Sequence, residues 1–282
     1  MPDPRAMKPA SPMFIQRPRP WAELPAGLAR GVTGVLTDID DTLTTEGAIT
    51  ADALTALQRL RETGLPVIAI TGRPMGWSVP FAQAWPVNAI VAENGSVALF
   101  RDGGTLCTEY SQDEATRQHN AQRLREVAQR VLREVPGATL SQDSPGRVTD
   151  IAIDHSEFAH LSTAQIDEVV AVMRAEGMNA TVSSIHINGW FGDHTKLSGA
   201  RWAVQRLLGR QIDSELAQWV YVGDSTNDQL MFGHFPLSVG VANVRQFSAQ
   251  LHTWPAYITQ GERGAGFAEV VQAVLSARTS TT

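Results

Sequence analysis

The sequence predicts an α/β protein, a doubly wound parallel sheet with a smaller α+β unit inserted into it. Three observations lead there. Short apolar runs rich in Val and Ile recur with helical patterns between them, the layout of parallel strands and crossover helices. Three of these runs end in polar turns: Val35-Leu36-Thr37 leads into Asp38-Ile39-Asp40-Asp41-Thr42, Val67-Ile68-Ala69-Ile70 into Thr71-Gly72-Arg73, and Val220-Tyr221-Val222 into Gly223-Asp224-Ser225-Thr226-Asn227-Asp228. A stretch of different pattern, residues 102–188, separates the second run from the third. Parallel sheets bind ligands beyond the carboxyl ends of their strands. Asp38, Asp40, Thr71, Asp224 and Asp228 are therefore expected to converge on one site.

Residues 1–30 read as an irregular leader, since Pro2, Pro4, Pro9, Pro12, Pro18, Pro20 and Pro25 repeatedly remove helix donors. The core is expected over 31–101 and 189–282. After its first strand, Thr50 is placed to cap a helix carrying Leu54, Leu57 and Leu60 and ending at Gly64. A strand at 67–70 follows, then a loop and a helical piece in which Trp77 and Phe81 are packing residues. A third apolar run, Ala89-Ile90-Val91-Ala92, ends at Glu93-Asn94-Gly95.

The inserted unit opens at the turn Asp102-Gly103-Gly104. Ser111-Gln112-Asp113-Glu114 reads as a capping box for a long helix with Leu124, Val127, Val131 and Val135 on one face, stopped by Pro136-Gly137. A strand at 148–153 and a helix bearing Ile166, Val169, Val170 and Met173 come next, closed by Gly177. The alternation from Thr181 to Ile187 predicts one half-exposed strand. The core resumes with a helix after Lys196 that ends at Gly209, strands at 219–222 and 237–241, and a final helix with Phe267, Val270, Val271 and Val274 inward. Gly264-Ala265-Gly266 lacks the strand and third glycine of a dinucleotide loop and reads as a turn before that helix.

Composition excludes several functions. The chain has 282 residues, 43% hydrophobic and 18% charged, the profile of an ordinary globular protein with room for a domain and an insertion. A net charge of -6 with no basic stripe argues against nucleic acid. No continuous apolar stretch suits a signal peptide or a membrane span. The single cysteine, Cys107, cannot make an internal disulfide and reads as a small buried hydrophobe, which suits a reducing, cytoplasmic setting. Oligomeric state leaves no mark in the sequence.

An Asp-x-Asp-x-Thr turn at a strand end suits phosphate ester chemistry. Asp38 supplies a carboxylate nucleophile, and Asp40 reaches the leaving oxygen as general acid and later deprotonates water. Two carboxylates facing a phosphate need a cation, and Asp38 with Asp224 offers the hard oxygen ligands that Mg²⁺ prefers. Thr71 donates a hydroxyl to the transferring group and Lys196 neutralises the remaining charge.

These motifs resemble those of the haloacid dehalogenase-like (HAD) superfamily: Asp38-x-Asp40-x-Thr42, Thr71, Lys196, and Gly223-Asp224-Ser225-x-Asn227-Asp228, in that order. The resemblance spans residues 33–275 and implies that Asp38 forms the aspartyl-phosphate, that the backbone carbonyl of Asp40 touches the metal, and that Asp228 supports the metal shell. An insertion between the Thr71 and Lys196 motifs, with Thr71-Gly72-Arg73 and Glu93-Asn94-Gly95, looks like the branch holding Cof-type sugar phosphatases and sucrose-phosphate phosphatase. One departure is Asp41, where many Cof-type members carry glycine. Thr42, Gly72, Arg73, Asn94 and Asn227 are the expected substrate contacts in the core. Arg147, after Ser144-Pro145-Gly146, is the leading candidate in the insertion for holding the leaving group. His186 and His194 flank the domain junction and read as hinge residues.

The expected activity is hydrolysis of a small phosphorylated metabolite, a sugar phosphate by preference, with Mg²⁺. Two alternatives stand beside it: a phosphomutase, which returns the phosphate to its substrate, and a sugar-phosphate-binding regulatory protein that barely turns over. Product analysis separates the first, and measurable turnover excludes the second.

Overall fold

A computed structural model describes residues 17–279. The chain runs through β1 (Arg19–Pro20), α1 (Ala26–Arg30), β2 (Gly34–Thr37), the short pair β3 (Thr44–Thr45) and β4 (Ala48–Ile49), α2 (Ala51–Glu62), β5 (Val67–Ile70), α3 (Met75–Ala84) and β6 (Ala89–Ala92). The hairpin β7 (Val97–Asp102) and β8 (Thr105–Tyr110) precedes α4 (Glu114–Glu134), β9 (Thr139–Leu140), β10 (Asp150–Asp154), α5 (Thr163–Ala175), β11 (Asn179–Val182) and β12 (His186–Trp190). It returns through α6 (Lys196–Leu208), β13 (Trp219–Gly223), α7 (Gln229–His234), β14 (Leu237–Gly240), β15 (Tyr257–Ile258) and α8 (Arg263–Thr279).

Among the described residues the main sheet has nine strands in the order β1-β15-β14-β13-β2-β5-β6-β7-β8. Its strands are parallel from β1 to β6, while β7 and β8 are antiparallel. Strand order reverses at β2, with β5 and β6 on one side and β13 and β14 on the other, so the switch point where α/β sheets bind ligands lies at the end of β2. Strand residues alternate between two faces. Val35, Val67, Ile90 and Val222 pack with Leu57 and Leu60 of α2 and Phe267, Val270 and Val274 of α8. Leu36, Ile68, Val91 and Tyr221 pack on the opposite face with Ala200 and Val204 of α6 and Met231 and Phe232 of α7. That two-sided cover is the doubly wound architecture the sequence predicted.

Inserted after β8 is a cap, an antiparallel sheet in the order β11-β12-β10-β9 packed under α4 and α5. Leu124, Val127 and Val131 of α4 meet Val169 and Met173 of α5 over Ile153 and Ile187. Among the described residues no helix is long and apolar enough to cross a membrane.

Several local expectations are corrected. The insertion was expected from residue 102, yet β7 and β8 extend the core sheet to Tyr110, because Phe100 and Leu99 face its two apolar layers. Residues 1–16 of the expected leader lie outside the described residues. The rest of that segment is tied to the core: Arg19 and Pro20 pair with Tyr257 and Ile258, and Trp21 is buried edge-on against Tyr257. The single strand expected from Thr181 to Ile187 is a hairpin, turned where the Ser183 hydroxyl accepts the amides of Ile185 and His186. Asp113, not Ser111, caps α4, accepting Thr116 N at 2.8 Å. Gly264 and Gly266 lie inside the first turns of α8, where a Cβ would strike Thr50 Oγ1 and the Gly261 carbonyl. Cys107 is half-buried against the core.

Candidate active site

Asp38, Thr71, Glu93 and Asp224 each follow immediately on β2, β5, β6 and β13. These strands are neighbours in the order β13-β2-β5-β6, so residues nearly 190 positions apart are delivered to one sheet edge. Asp38, Asp224 and Asp228 are all buried, and a carboxylate oxygen from each lies within 4.8 Å of the others. Gly223 makes this possible, because a Cβ there would lie 2.4 Å from Asp228 Oδ2.

The three carboxylates are not equivalent. Asp228 is saturated: Oδ1 accepts Lys196 Nζ at 2.7 Å and the Tyr221 hydroxyl, and Oδ2 accepts the amides of Asp224 at 2.9 Å and Ser225 at 3.1 Å. Asp224 Oδ1 is buried with no hydrogen-bond partner among the described residues, while its Oδ2 meets Asn243 Nδ2 at 3.4 Å. Burial, with Asp228 and Asp38 nearby, holds the Asp224 carboxyl well above the usual carboxylate range. Burial likewise pushes Asp38 up to about 7, against the pull of Lys196 at 2.9 Å. An orphaned buried carboxylate oxygen and adjacent acids that resist ionising together are what a hard divalent cation relieves. The donor set fits Mg²⁺, with Asp38 and Asp224 offering oxygens and Asp228 orienting the loop behind them.

Lys196 is the first residue of α6, whose Thr195 N-cap accepts Ser198 N at 3.1 Å. A cation at a helix N-terminus opposes the helix dipole, and this one is also buried. Burial would lower its pKa, but Asp228 and Asp38 outweigh that and hold it above its ordinary value. Thr71 Oγ1 accepts the Arg73 amide at 3.0 Å, leaving its own hydrogen to donate. Thr42 Oγ1 and Asn94 Nδ2 are buried without partners among the described residues, and Asn227 Oδ1 accepts from Ser225 at 3.0 Å. Asp41 has φ of +52°, a conformation that glycine adopts freely and Asp tolerates, which explains the departure noted in the sequence. Its carboxylate points to Arg263 at 3.0 Å.

Asp40 is held by Arg73, whose Nε lies 3.0 and 3.1 Å from its two oxygens. The same guanidinium reaches Asp143 at 3.2 Å and Glu157 at 2.7 Å, both in the cap. His186 Nε2 meets Glu157 at 2.9 Å, so it serves this network rather than a hinge. Burial alone would raise Glu157, but hydrogen bonds to His186 and Arg73 bring it down to about 2. His194 does fill the junction, stacked on Trp190 at 5.5 Å.

Arg147 is the clear correction. Its side chain is 3% exposed, donates to the Gly72 carbonyl at 2.9 Å, and pairs with Asp150 at 2.9 Å and Asp143 at 3.0 Å. It is a fastener between cap and core, and it is not among the residues that line the cavity over Asp40 and Arg73. Beside it Asn188 Nδ2 donates to the same carbonyl at 3.1 Å, and Glu93 accepts Val148 N at 3.1 Å and Thr149 N at 2.6 Å. Glu93 and Asn94 take φ of +48° and +56°, and a Cβ on Gly95 would lie 2.1 Å from the Thr195 carbonyl, so this turn fits only in that packed form.

At the seam a cavity of about 330 Å³ opens over Asp40 and Arg73, lined also by Asp41, Glu46, Glu157 and Phe158. A second recess of about 490 Å³ reaches Lys196, Asn94 and Asn227 from the side of Trp190 and Thr181. Sequence reasoning missed Tyr221, Asn243, Asp143, Glu157 and Asn188. The sequence singles out the Glu93-Asn94-Gly95 turn but not its role in seating the cap.

The haloacid dehalogenase-like hydrolase family model matches residues 35–142. A phosphoglycolate phosphatase of Methanothermobacter thermautotrophicus is 25% identical over 84% of this chain and 96% of its own length. Phosphoglycolate phosphatase 1 of Saccharolobus solfataricus is 24% identical over 86% and 95%. The solved sucrose-phosphatase of Synechocystis sp. PCC6803 has the same fold at a TM-score of 0.62 and 16% identity, over 87% of this chain and 98% of that one. Residues 35–142 thus match the haloacid dehalogenase-like hydrolases, and the two relatives, phosphatases by name, agree with the phosphatase expected from the motifs.

Proposed function

We propose that this protein is a divalent-metal-dependent phosphatase of small phosphorylated metabolites, with sugar or polyol phosphates as its preferred class. The observation that carries the reading is the convergence of Asp38, Thr71, Lys196 and Asp224 below a seam cavity that Asp40 lines.

Bound Mg²⁺ would supply charge neutralisation between the Asp38 carboxylate and the phosphate. Asp38 then attacks phosphorus through a carboxylate oxygen, and the ester bond to the leaving group breaks. Asp40 gives its proton to the leaving oxygen and afterwards takes one from the water that hydrolyses the aspartyl-phosphate. Lys196 has three hydrogens and two carboxylate partners, so one remains for a phosphate oxygen. Thr71 offers its free hydrogen to another, and the Gly72 segment is held against the cap through its carbonyl. Asn94 brings an unpartnered amide to the same region.

The leaving group meets a cavity of carboxylates. Asp41, Glu46 and Glu157 line it; Arg73 is committed to Asp40 and Glu157, and Arg263 stands beside Asp41 as an ion pair. Neutral hydroxyls donate well to such walls, whereas a substrate carboxylate is repelled by them. Phosphoglycolate is nonetheless the second reading, because the two relatives that carry that name are covered almost end to end. The one cysteine and the absence of a basic stripe suit a cytoplasmic enzyme that ignores nucleic acid.

A phosphate-release assay with purified protein and Mg²⁺ tests the reading. Hexose and polyol phosphates should be hydrolysed with higher kcat/KM than phosphoglycolate, and EDTA should abolish all turnover until Mg²⁺ is restored. Preference for phosphoglycolate would overturn the substrate class; full activity after exhaustive chelation would overturn the metal requirement. Recovery of an isomeric sugar phosphate instead of inorganic phosphate would make the protein a mutase.

A further inference from the structure

We propose that Glu157 in the cap is a positioning residue for Asp40 and acts through Arg73, so that seating the cap aligns the carboxyl that serves the leaving oxygen. The inference rests on the phosphatase reading and adds a residue that the sequence motifs do not include.

Arg73 is the connecting piece. Its guanidinium is 5% exposed and has charged partners on both sides of the seam, Asp40 from the core and Asp143 and Glu157 from the cap. The core supplies one further contact, the Trp77 ring 5.0 Å beneath it. Glu157 makes the shortest of these bonds, Oε1 to Nη2 at 2.7 Å, and its Oε2 stands 3.3 Å from Nη1. A free arginine side chain has many rotamers to lose, so a partner already in place decides whether it stays on Asp40.

Glu157 is in place because the cap fixes it from two directions. Asp154, at the end of β10, is buried and accepts four successive amides: Ser156 and Glu157 at 3.1 and 2.9 Å on Oδ1, Phe158 and Ala159 at 2.9 and 3.2 Å on Oδ2. That carboxylate ties the loop into one shape. From β12, His186 holds Glu157 Oε2 at 2.9 Å. Every link from two cap strands to Asp40 is therefore a short polar contact between buried or half-buried groups. A general acid works only when its oxygen is within hydrogen-bond reach of the leaving oxygen, and small displacements cost orders of magnitude. With the cap unseated, Arg73 loses two of its three carboxylates and Asp40 loses its fixed direction.

Two esters separate positioning from plain damage. p-Nitrophenyl phosphate has a good leaving group that needs little protonation, and phenyl phosphate has a poorer one. With the Mg²⁺-loaded full-length enzyme, Glu157→Gln should lower kcat on phenyl phosphate about tenfold more than on p-nitrophenyl phosphate, leaving KM for both within about threefold. In an Arg73→Ala background the same substitution should cost less than about twofold, because the link is already cut. Equal losses on the two esters, or full additivity with Arg73→Ala, would refute the proposal. A readout free of catalysis accompanies these: Glu157→Gln should speed amide hydrogen exchange in residues 39–44 of the core, with which Glu157 shares no hydrogen bond. Unchanged exchange there overturns the inference even if the native enzyme proves inactive on every ester, the result that would sink the phosphatase reading itself.

Discussion

Asp40 is gripped on both oxygens by a single arginine, and that geometry sets what its removal should do. Asp40→Asn keeps the shape and loses the proton. Turnover of a hexose phosphate should drop by about 10²–10⁴, the usual worth of general acid and base catalysis, while p-nitrophenyl phosphate loses far less in its first step. Comparing single-turnover rates on the two esters checks this, and an identical loss would remove Asp40 from the leaving-group step. Much of this site was legible because its residues stand in short motifs at strand ends, where spacing alone places Asp38 beside Asp40 and Asp224 near Asp228. Glu157, Asp143 and Asn188 were not legible. They reach the site only through docking of the cap, and nothing adjacent to them in sequence marks that. Tyr221 was hidden differently, as an inward strand residue whose hydroxyl happens to meet Asp228.

Elements were readable where one physical signal dominated. The runs at 67–70 and 89–92 became β5 and β6 with those bounds, since apolar runs of that length buried on both faces have few other homes. Signals failed where two competed: Ser111 and Asp113 both suit an N-cap, and the alternation through Thr181 to Ile187 concealed a turn made by Ser183. The loop 143–150 is the most instructive case. Its arginine has the sequence context of a substrate reader, yet the fold buries it between Asp150, Asp143 and the Gly72 carbonyl. Arg147→Ala should therefore destabilise the protein by about 3–5 kcal/mol, the cost of leaving a buried carboxylate unpaired. It should also depress hydrolysis of sugar and nitrophenyl esters alike, because the Thr71-Gly72-Arg73 turn loses its seat. Urea unfolding together with kcat/KM on both esters decides. Unchanged stability with a loss confined to the sugar ester would return Arg147 to the leaving group.

At the scale of the whole molecule, cap and core share a buried seam, and the chain crosses it for the last time at residues 190–195. His194 lies there, 6% exposed, its ring stacked on Trp190 and neither ring nitrogen bonded to any described residue. Burial pushes this imidazole down to about 4, with Asp193 pulling weakly the other way. An unfolded histidine titrates near 6.5. Between those values the unfolded chain binds a proton that the folded one refuses, so stability is complete above pH 6.5 and is lost as pH falls toward 4. From pH 7 to pH 4.5 this one group should cost about 2–3 kcal/mol of unfolding free energy. His194→Phe preserves the stacked ring and removes the titration. The variant should match or exceed the native protein at pH 7, since no hydrogen bond is given up, and should exceed it by about 2–3 kcal/mol at pH 4.5. Denaturant unfolding of both proteins at the two pH values measures the difference of differences. If that quantity is zero, His194 is already protonated or solvated in the native state, and the acid sensitivity of the seam belongs to other groups.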